Sequence, residues 1–211
     1  MATTALKIDP QPLQQGLPLK VELRPIIDLG DDEFFEFCQI NRNLRIERNA
    51  EGELLLMPPT GAETGNRNAE ITMQLRSWAK RDGSGVSFDS SAGFVLPNKA
   101  VRSPDASWIK RSRLAAFTPE QRRKFLPCCP DFVLELRSPS DELSVLQAKM
   151  REYIDNGAQL GWLTDPEAKR VYVYRSETPV SCLEGVDLIS GDPILPGFVL
   201  ELAEIWLCDG P

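Results

Sequence analysis

Residues 131 to 166, "DFVLELRSPSDELSVLQAKMREYIDNGAQLGWLTDP", constrain the fold of this chain more than any other stretch. "DFVLELR" (131–137) reads as a buried strand, and "SDELSVLQAKMREYIDNGA" (140–158) as a helix capped by Ser140 and closed by Asn156-Gly157. "QLGWLTDP" (159–166) is a second strand. A strand, a helix and a strand in succession make a crossover that lays the two strands in one sheet under a covering helix. The rest of the chain supplies other elements, so the expected class is α/β, built on a central mixed sheet flanked by helices.

Upstream, "DDEFFEFCQIN" (31–41) suits a short helix and "LRIERNAEGELLLMPP" (44–59) a hairpin about its Glu-Gly turn. Ile71, Leu75 and Trp78 recur at helical spacing, which predicts a helix over 62–85 stopped by Gly83 and Gly85. "AGFVLPN" (92–98) and "SPDASWI" (103–109) are expected to pair as a second hairpin. A charged helix is expected from Thr118-Pro119, because proline is tolerated in a first helical turn. "KRVYVYR" (169–175) and short runs between 194 and 207 read as further strands. Residues 1–24 are expected to form an N-terminal arm and 25–208 one domain.

The strand over 131–137 carries a carboxylate, Glu135, where burial is costly unless something pairs with it. Alternation puts Asp131, Val133, Glu135 and Arg137 on one face and Phe132, Leu134 and Leu136 on the other, which packs on a helix. Arg137, roughly 6–7 Å along the strand, is one candidate partner. Asp105, after Pro104 at the start of another strand, is the second. Two acids on adjacent strands do not both stay ionised cheaply unless a cation lies between them, and a hard divalent ion such as Mg²⁺ resolves the conflict. Asp131 is about 13 Å from Glu135 along the strand, too far to share one ion, and reads as a strand-start residue.

The chain has no histidine. That excludes Ser-His-Asp and Cys-His hydrolysis and imidazole ligation, so any metal must be held by oxygen. Five cysteines without CxxC spacing support neither a disulfide framework nor a zinc site. A formal charge of −7 argues against a general nucleic-acid sponge, although "KRSRL" (110–114) and "EQRRKF" (120–125) offer a local basic surface or a solvated helical face. The sequence shows neither a membrane span nor the plan of a signal peptide, and a cytoplasmic location is expected.

Pro104-Asp105 followed by Glu135-Leu136-Arg137 resembles PD-(D/E)xK, the signature of restriction-endonuclease-like nucleases. Together "SPDASWI", "PDFVLELRSPSD", "KMREY" and "GWLTDP" look like the large bacterial family of "putative restriction endonucleases", the former domain of unknown function 820. The similarity runs from about residue 25 to residue 205. It implies a restriction-endonuclease-like core, with Asp105 and Glu135 holding Mg²⁺, or Mn²⁺ in its place. It also implies metal-dependent hydrolysis of phosphodiester bonds in nucleic acid, with DNA the expected substrate.

Arg137 stands where the motif has lysine, and a guanidinium is too basic to accept a proton, though it holds phosphate. The resemblance moves the lysine to the following helix, where Lys149 matches and borders the stripe of Leu143, Leu146, Met150, Tyr153 and Ile154. It also points to a glutamate on the first core helix, Glu63, with Glu70 second, and leaves Gln147 to orient water or phosphate. A homodimer is expected, since two copies cut two strands. The alternative is a catalytically inactive nuclease-fold module for binding or assembly.

Overall fold

The computed structural model describes residues 18–207. The chain runs through β1 (Leu19–Val21), α1 (Asp31–Ile40), β2 (Arg45–Arg48), β3 (Leu54–Met57) and α2 (Ala62–Asp82). It continues with β4 (Gly85–Asp89), β5 (Phe94–Val95), β6 (Val101–Arg102), β7 (Ala106–Lys110) and α3 (Arg111–Ala115). Next come β8 (Phe132–Leu136), α4 (Leu143–Asp155), β9 (Leu160–Asp165) and β10 (Arg170–Arg175). β11 (Ser181–Glu184), β12 (Leu188–Ser190), β13 (Val199–Glu201) and α5 (Ala203–Trp206) complete it. Of the expected N-terminal arm, residues 1–17 lie outside the described residues, and β1 pairs with β3. No helix among the described residues is long and apolar enough to cross a membrane.

The central sheet has the order β11-β10-β9-β8-β7-β4. β8 and β9 are parallel, as the α4 crossover between them requires, and the other pairs are antiparallel. Phe132, Leu134 and Leu136 of β8 join Ile71, Leu75 and Trp78 of α2 in one core, along with the C-terminal Leu200, Leu202 and Ile205. Val133 faces the other way and packs with Met150 and Tyr153 of α4. Both faces are therefore covered, which is why the β8 sequence is apolar throughout except for its glutamate. Gly161 on β9 lets α4 come close, since a Cβ there would meet the Met150 methyl at 2.5 Å.

A second sheet, β1-β3-β2-β6-β5, is antiparallel throughout. It corrects the expected second hairpin. β5 pairs with β6, Phe94 opposite Arg102, while residues 106–110 leave for the central sheet between β4 and β8. Pro104, with no N–H to give a ladder, marks the break. β4 was not anticipated as a strand at all.

Two helix expectations also change. Around Thr118-Pro119 there is only a 3-10 turn, Gln121–Arg123, in which Thr118 and Gln121 bond reciprocally. "PEQRRK" has no apolar stripe with which to dock a longer helix, and the chain turns extended so that Leu126 bridges to Phe94. α4 begins at Leu143 behind Glu142, without a side-chain cap, while the Ser140 hydroxyl pairs with that of Ser138.

α2 ends as its sequence predicts. Gly83 lies at φ 74° and its N–H returns to the Ala79 carbonyl. A Cβ at Gly83 would touch nothing within 4 Å, so Gly83→Ala tests the backbone alone. Urea unfolding is expected to show a loss of about 1 kcal/mol.

Candidate active site

Strand register brings Asp105 and Glu135 together. Ala106 of β7 lies opposite Leu134 of β8, so one step beyond it Asp105 comes level with Glu135 and shares its face. The Leu136 N–H donates to Asp105 Oδ2 at 2.9 Å and fastens it there. Both carboxylates are buried, at 7% and 3% exposure.

Glu135 is paired from α4. Lys149 Nζ stands 2.9 Å from Glu135 Oε1, and the Tyr153 hydroxyl donates to the same oxygen at 2.9 Å. Lys149 and Tyr153 are four residues apart, so one turn of helix presents both to the sheet. Arg137 is not the partner. In the parallel register Leu136 lies beside Thr164, which brings Arg137 level with Asp165, and its guanidinium donates there at 2.8 Å. A second bond, to the Asp141 carbonyl at 3.1 Å, holds it in place.

A third acid enters from the second sheet. Glu47 of β2 is 2% exposed, and its Oε1 lies 3.1 Å from Lys149 Nζ. The Ser103 N–H donates to that oxygen at 3.0 Å, and Arg102 Nη1 donates to Oε2 at 3.2 Å. Arg102 Nε also reaches Glu152 on α4, at 2.6 Å. Arg45, two residues before Glu47, stands 3.5 Å from Asp105 Oδ1 and donates to the Ser103 carbonyl at 3.1 Å. Asn68 of α2 also reaches Asp105 Oδ1 at 3.5 Å. Arg45 Nε and Asn68 Oδ1 are buried without partners among the described residues.

Charge in this cluster is unevenly distributed. Burial pushes the Glu135 carboxyl up to about 7; Lys149 pulls it down, but Asp105 and Glu47 add to the rise. Burial also acts to raise Glu47, yet Lys149, Arg102 and the Ser103 N–H outweigh it and hold Glu47 below the ordinary range. For Lys149 burial works against the charge, and the two glutamates overcome it, keeping the ammonium protonated.

The remaining expectations fare differently. Glu63 is exposed and lies 3.8 Å from Arg67, away from the core and from the acid pair. Eight residues leave it about 80° off the stripe, whereas Thr64, seven before Ile71, is buried. Glu70 accepts from Gln74 along its own helix. Gln147 is half-buried on α4 and makes no side-chain hydrogen bond among the described residues. Asp131 opens β8, binding the Lys110 N–H at 2.9 Å, Gln159 at 2.8 Å and Arg113 at 2.9 Å.

The basic stretches flank the Lys110 end of β7, opposite Asp105, and are largely committed to structure. Arg111 donates to the Gly83 carbonyl, Arg122 to the Leu114 carbonyl, and Lys124 to Asp32. Cys128 and Cys129 are buried, and burial pushes their thiols up to about 11 and about 12, too weakly acidic for nucleophilic work.

The donor set fits a hard divalent ion. Both bonds to Glu135 go to Oε1, leaving Oε2 without a partner among the described residues. Asp105 Oδ1 has only the two long contacts from Arg45 and Asn68. No three acidic or sulfur ligands among the described residues converge as a closed cage. Two carboxylates, with water and phosphate completing the shell, is the manner in which Mg²⁺ is commonly held, whereas an all-protein cage suits Ca²⁺.

A mixed sheet with a helix on either face and an acid pair at the β7–β8 seam is the restriction-endonuclease-like architecture. The sequence profile of the Uma2 family, described as "Putative restriction endonuclease", matches residues 31–203, and the chain belongs to that family. Among solved structures it is similar to the 1.96 Å crystal structure of a "putative nuclease belonging to DUF820" from Anabaena variabilis. The TM-score is 0.65 at 20% identity, covering 76% of this chain and 89% of that one, which shows a shared fold. No curated protein matches the chain.

Proposed function

We propose that the chain is a metal-dependent nuclease that hydrolyses phosphodiester bonds, with Asp105 and Glu135 holding Mg²⁺ or Mn²⁺. The observation that carries this reading is the pairing of two level, buried carboxylates beside a charged lysine, Glu135 with Oε2 free of partners among the described residues and Asp105 with Oδ1 held only by two contacts at 3.5 Å. With the ion bound there, the chemistry supplied is polarisation of a phosphoryl oxygen and a more acidic water. Lys149 keeps its proton near neutrality, so its part is to donate to the attacking water or to a phosphoryl oxygen gathering charge, not to act as base. Arg45 offers a buried Nε–H with no partner among the described residues, suited to a phosphate oxygen. Arg137, already donating to Asp165, fits the phosphate role less well.

DNA is the substrate to test first, given the family's description. The second reading, an inactive module of the same fold, is favoured by Arg137 at the motif lysine. The seating of Lys149 on Glu135 favours chemistry. Mn²⁺ titrated calorimetrically into the protein and into Glu135→Ala, followed by a plasmid-cleavage assay, separates the two. We expect saturable binding that is lost in the variant and cleavage that requires the metal. Absence of binding to either protein would overturn the nuclease reading.

A further inference from the structure

Lys149 comes to the site from a helix on a long flexible stem. Holding such a side chain in one rotamer costs conformational entropy, and Glu135, its first partner, is also a proposed ligand of the metal. A second anchor is present in the second sheet. Glu47 meets the same ammonium at 3.1 Å and is itself fixed by the Ser103 N–H and by Arg102. Arg102 runs on to Glu152, three residues after Lys149 on α4, so the chain of charges closes on the helix where it began. The Asn98 side-chain amide donates to the other Glu152 oxygen at 2.9 Å and steadies that end.

We propose that Glu47 is the positioning residue for Lys149. Through the Glu47–Arg102–Glu152 brace it locks α4 against the second sheet and keeps the ammonium at Glu135 Oε1 while the other oxygen is free for the metal. In a site whose lysine has left the motif strand for a helix, the brace supplies the rigidity that the strand no longer provides. The catalytic consequence rests on the nuclease reading; the anchoring itself does not.

The test uses Glu47→Gln, which keeps an acceptor for the Ser103 N–H, Lys149→Met, and the double variant. The first readout is acetylation of Lys149 by an N-hydroxysuccinimide ester, followed by mass spectrometry with exposed Lys80 as reference. Labelling of Lys149 in Glu47→Gln is expected to rise about tenfold, as when a buried charge loses one of two partners, with Lys80 unchanged. The second readout is cleavage. In Glu47→Gln kcat should fall about 10–100-fold with KM and Mn²⁺ affinity nearly unchanged, and in the Lys149→Met background the same change should cost nothing further. Glu47→Asp, which keeps the charge, should restore part of both effects, and it replaces Glu47→Gln if the latter fails to fold.

Unchanged Lys149 labelling would overturn the proposal, as would a Glu47→Gln loss that persists in full without Lys149. A wild-type protein that binds Mn²⁺ but cuts no nucleic acid sinks the nuclease reading instead. The labelling result then decides Glu47 alone.

Discussion

Asp105→Asn is expected to remove metal-dependent cleavage, by about a thousandfold or more in kcat, while leaving the fold intact. The amide oxygen still accepts the Leu136 N–H, so the bond that sets Asp105 beside β8 survives. Its NH₂ then faces Asn68, whose buried Oδ1 lacks a partner among the described residues and becomes an acceptor once that side chain turns. What disappears is the negative charge and with it one of the two oxygen ligands. Glu135 also loses one of the carboxylates that push its pKa upward, a relief that offsets the loss of the Arg45–Asp105 ion pair at 3.5 Å. Melting at pH 8 should therefore occur close to that of the wild type, while Mn²⁺ titration shows weak binding or none. Retained metal-dependent cleavage by Asp105→Asn would mean that the acid pair is structural and that the chemistry lies elsewhere.

The parts of the site legible in the sequence are those set by local periodicity. Alternation along "DFVLELR" places Glu135 opposite the leucine face, and helical spacing along "LSVLQAKMREY" puts Lys149 on the border of the buried stripe that holds Met150 and Tyr153. Both follow from a strand and a helix whose boundaries the chain itself marks. Tyr153 reads in sequence only as part of that apolar stripe, yet its hydroxyl is a donor to Glu135. The stripe accounts for the ring and conceals the polar tip.

Glu47 was out of reach for a different reason. "RIER" is half of a hairpin in which charged residues look like a solvated face, and Lys149 lies 102 residues further along the chain. Nothing local says that β2 pairs through Arg48 with Val101 and so carries Glu47 beside Arg102. The same gap explains the misplaced hairpin. "AGFVLPN" and "SPDASWI" are both good strands, but whether they pair with each other or with separate sheets depends on partners chosen at long range. The exposed direction of Glu63 is not legible in sequence, since acids suit a first helical turn whichever way they point.

In chelator, the stability of the wild type relative to Glu135→Gln is expected to fall as pH rises from 5 to 8. The Glu135 carboxyl moves from 4.5 to about 7 on folding, so between those values the folded protein keeps a proton that the unfolded chain gives up. A group of this kind favours the folded state most at or below its ordinary pKa, and the advantage is gone above about 7. The displacement is worth about 3 kcal/mol at most. Glu47, held below its ordinary range, acts in the opposite sense but loses its contribution only at more acid pH, and taking the difference from the variant cancels it. Urea unfolding at pH 5, 6, 7 and 8 should show Glu135→Gln gaining on the wild type by about 2–3 kcal/mol across the series. Saturating Mg²⁺ should move the difference back towards the wild type at pH 8, because the ion binds the ionised carboxylate and adds about 2.7 kcal/mol at a hundred times its Kd. A difference that stays flat with pH would mean that Glu135 remains ionised against Lys149 throughout. A slope in chelator that Mg²⁺ leaves unchanged would mean that the buried carboxyl holds no metal.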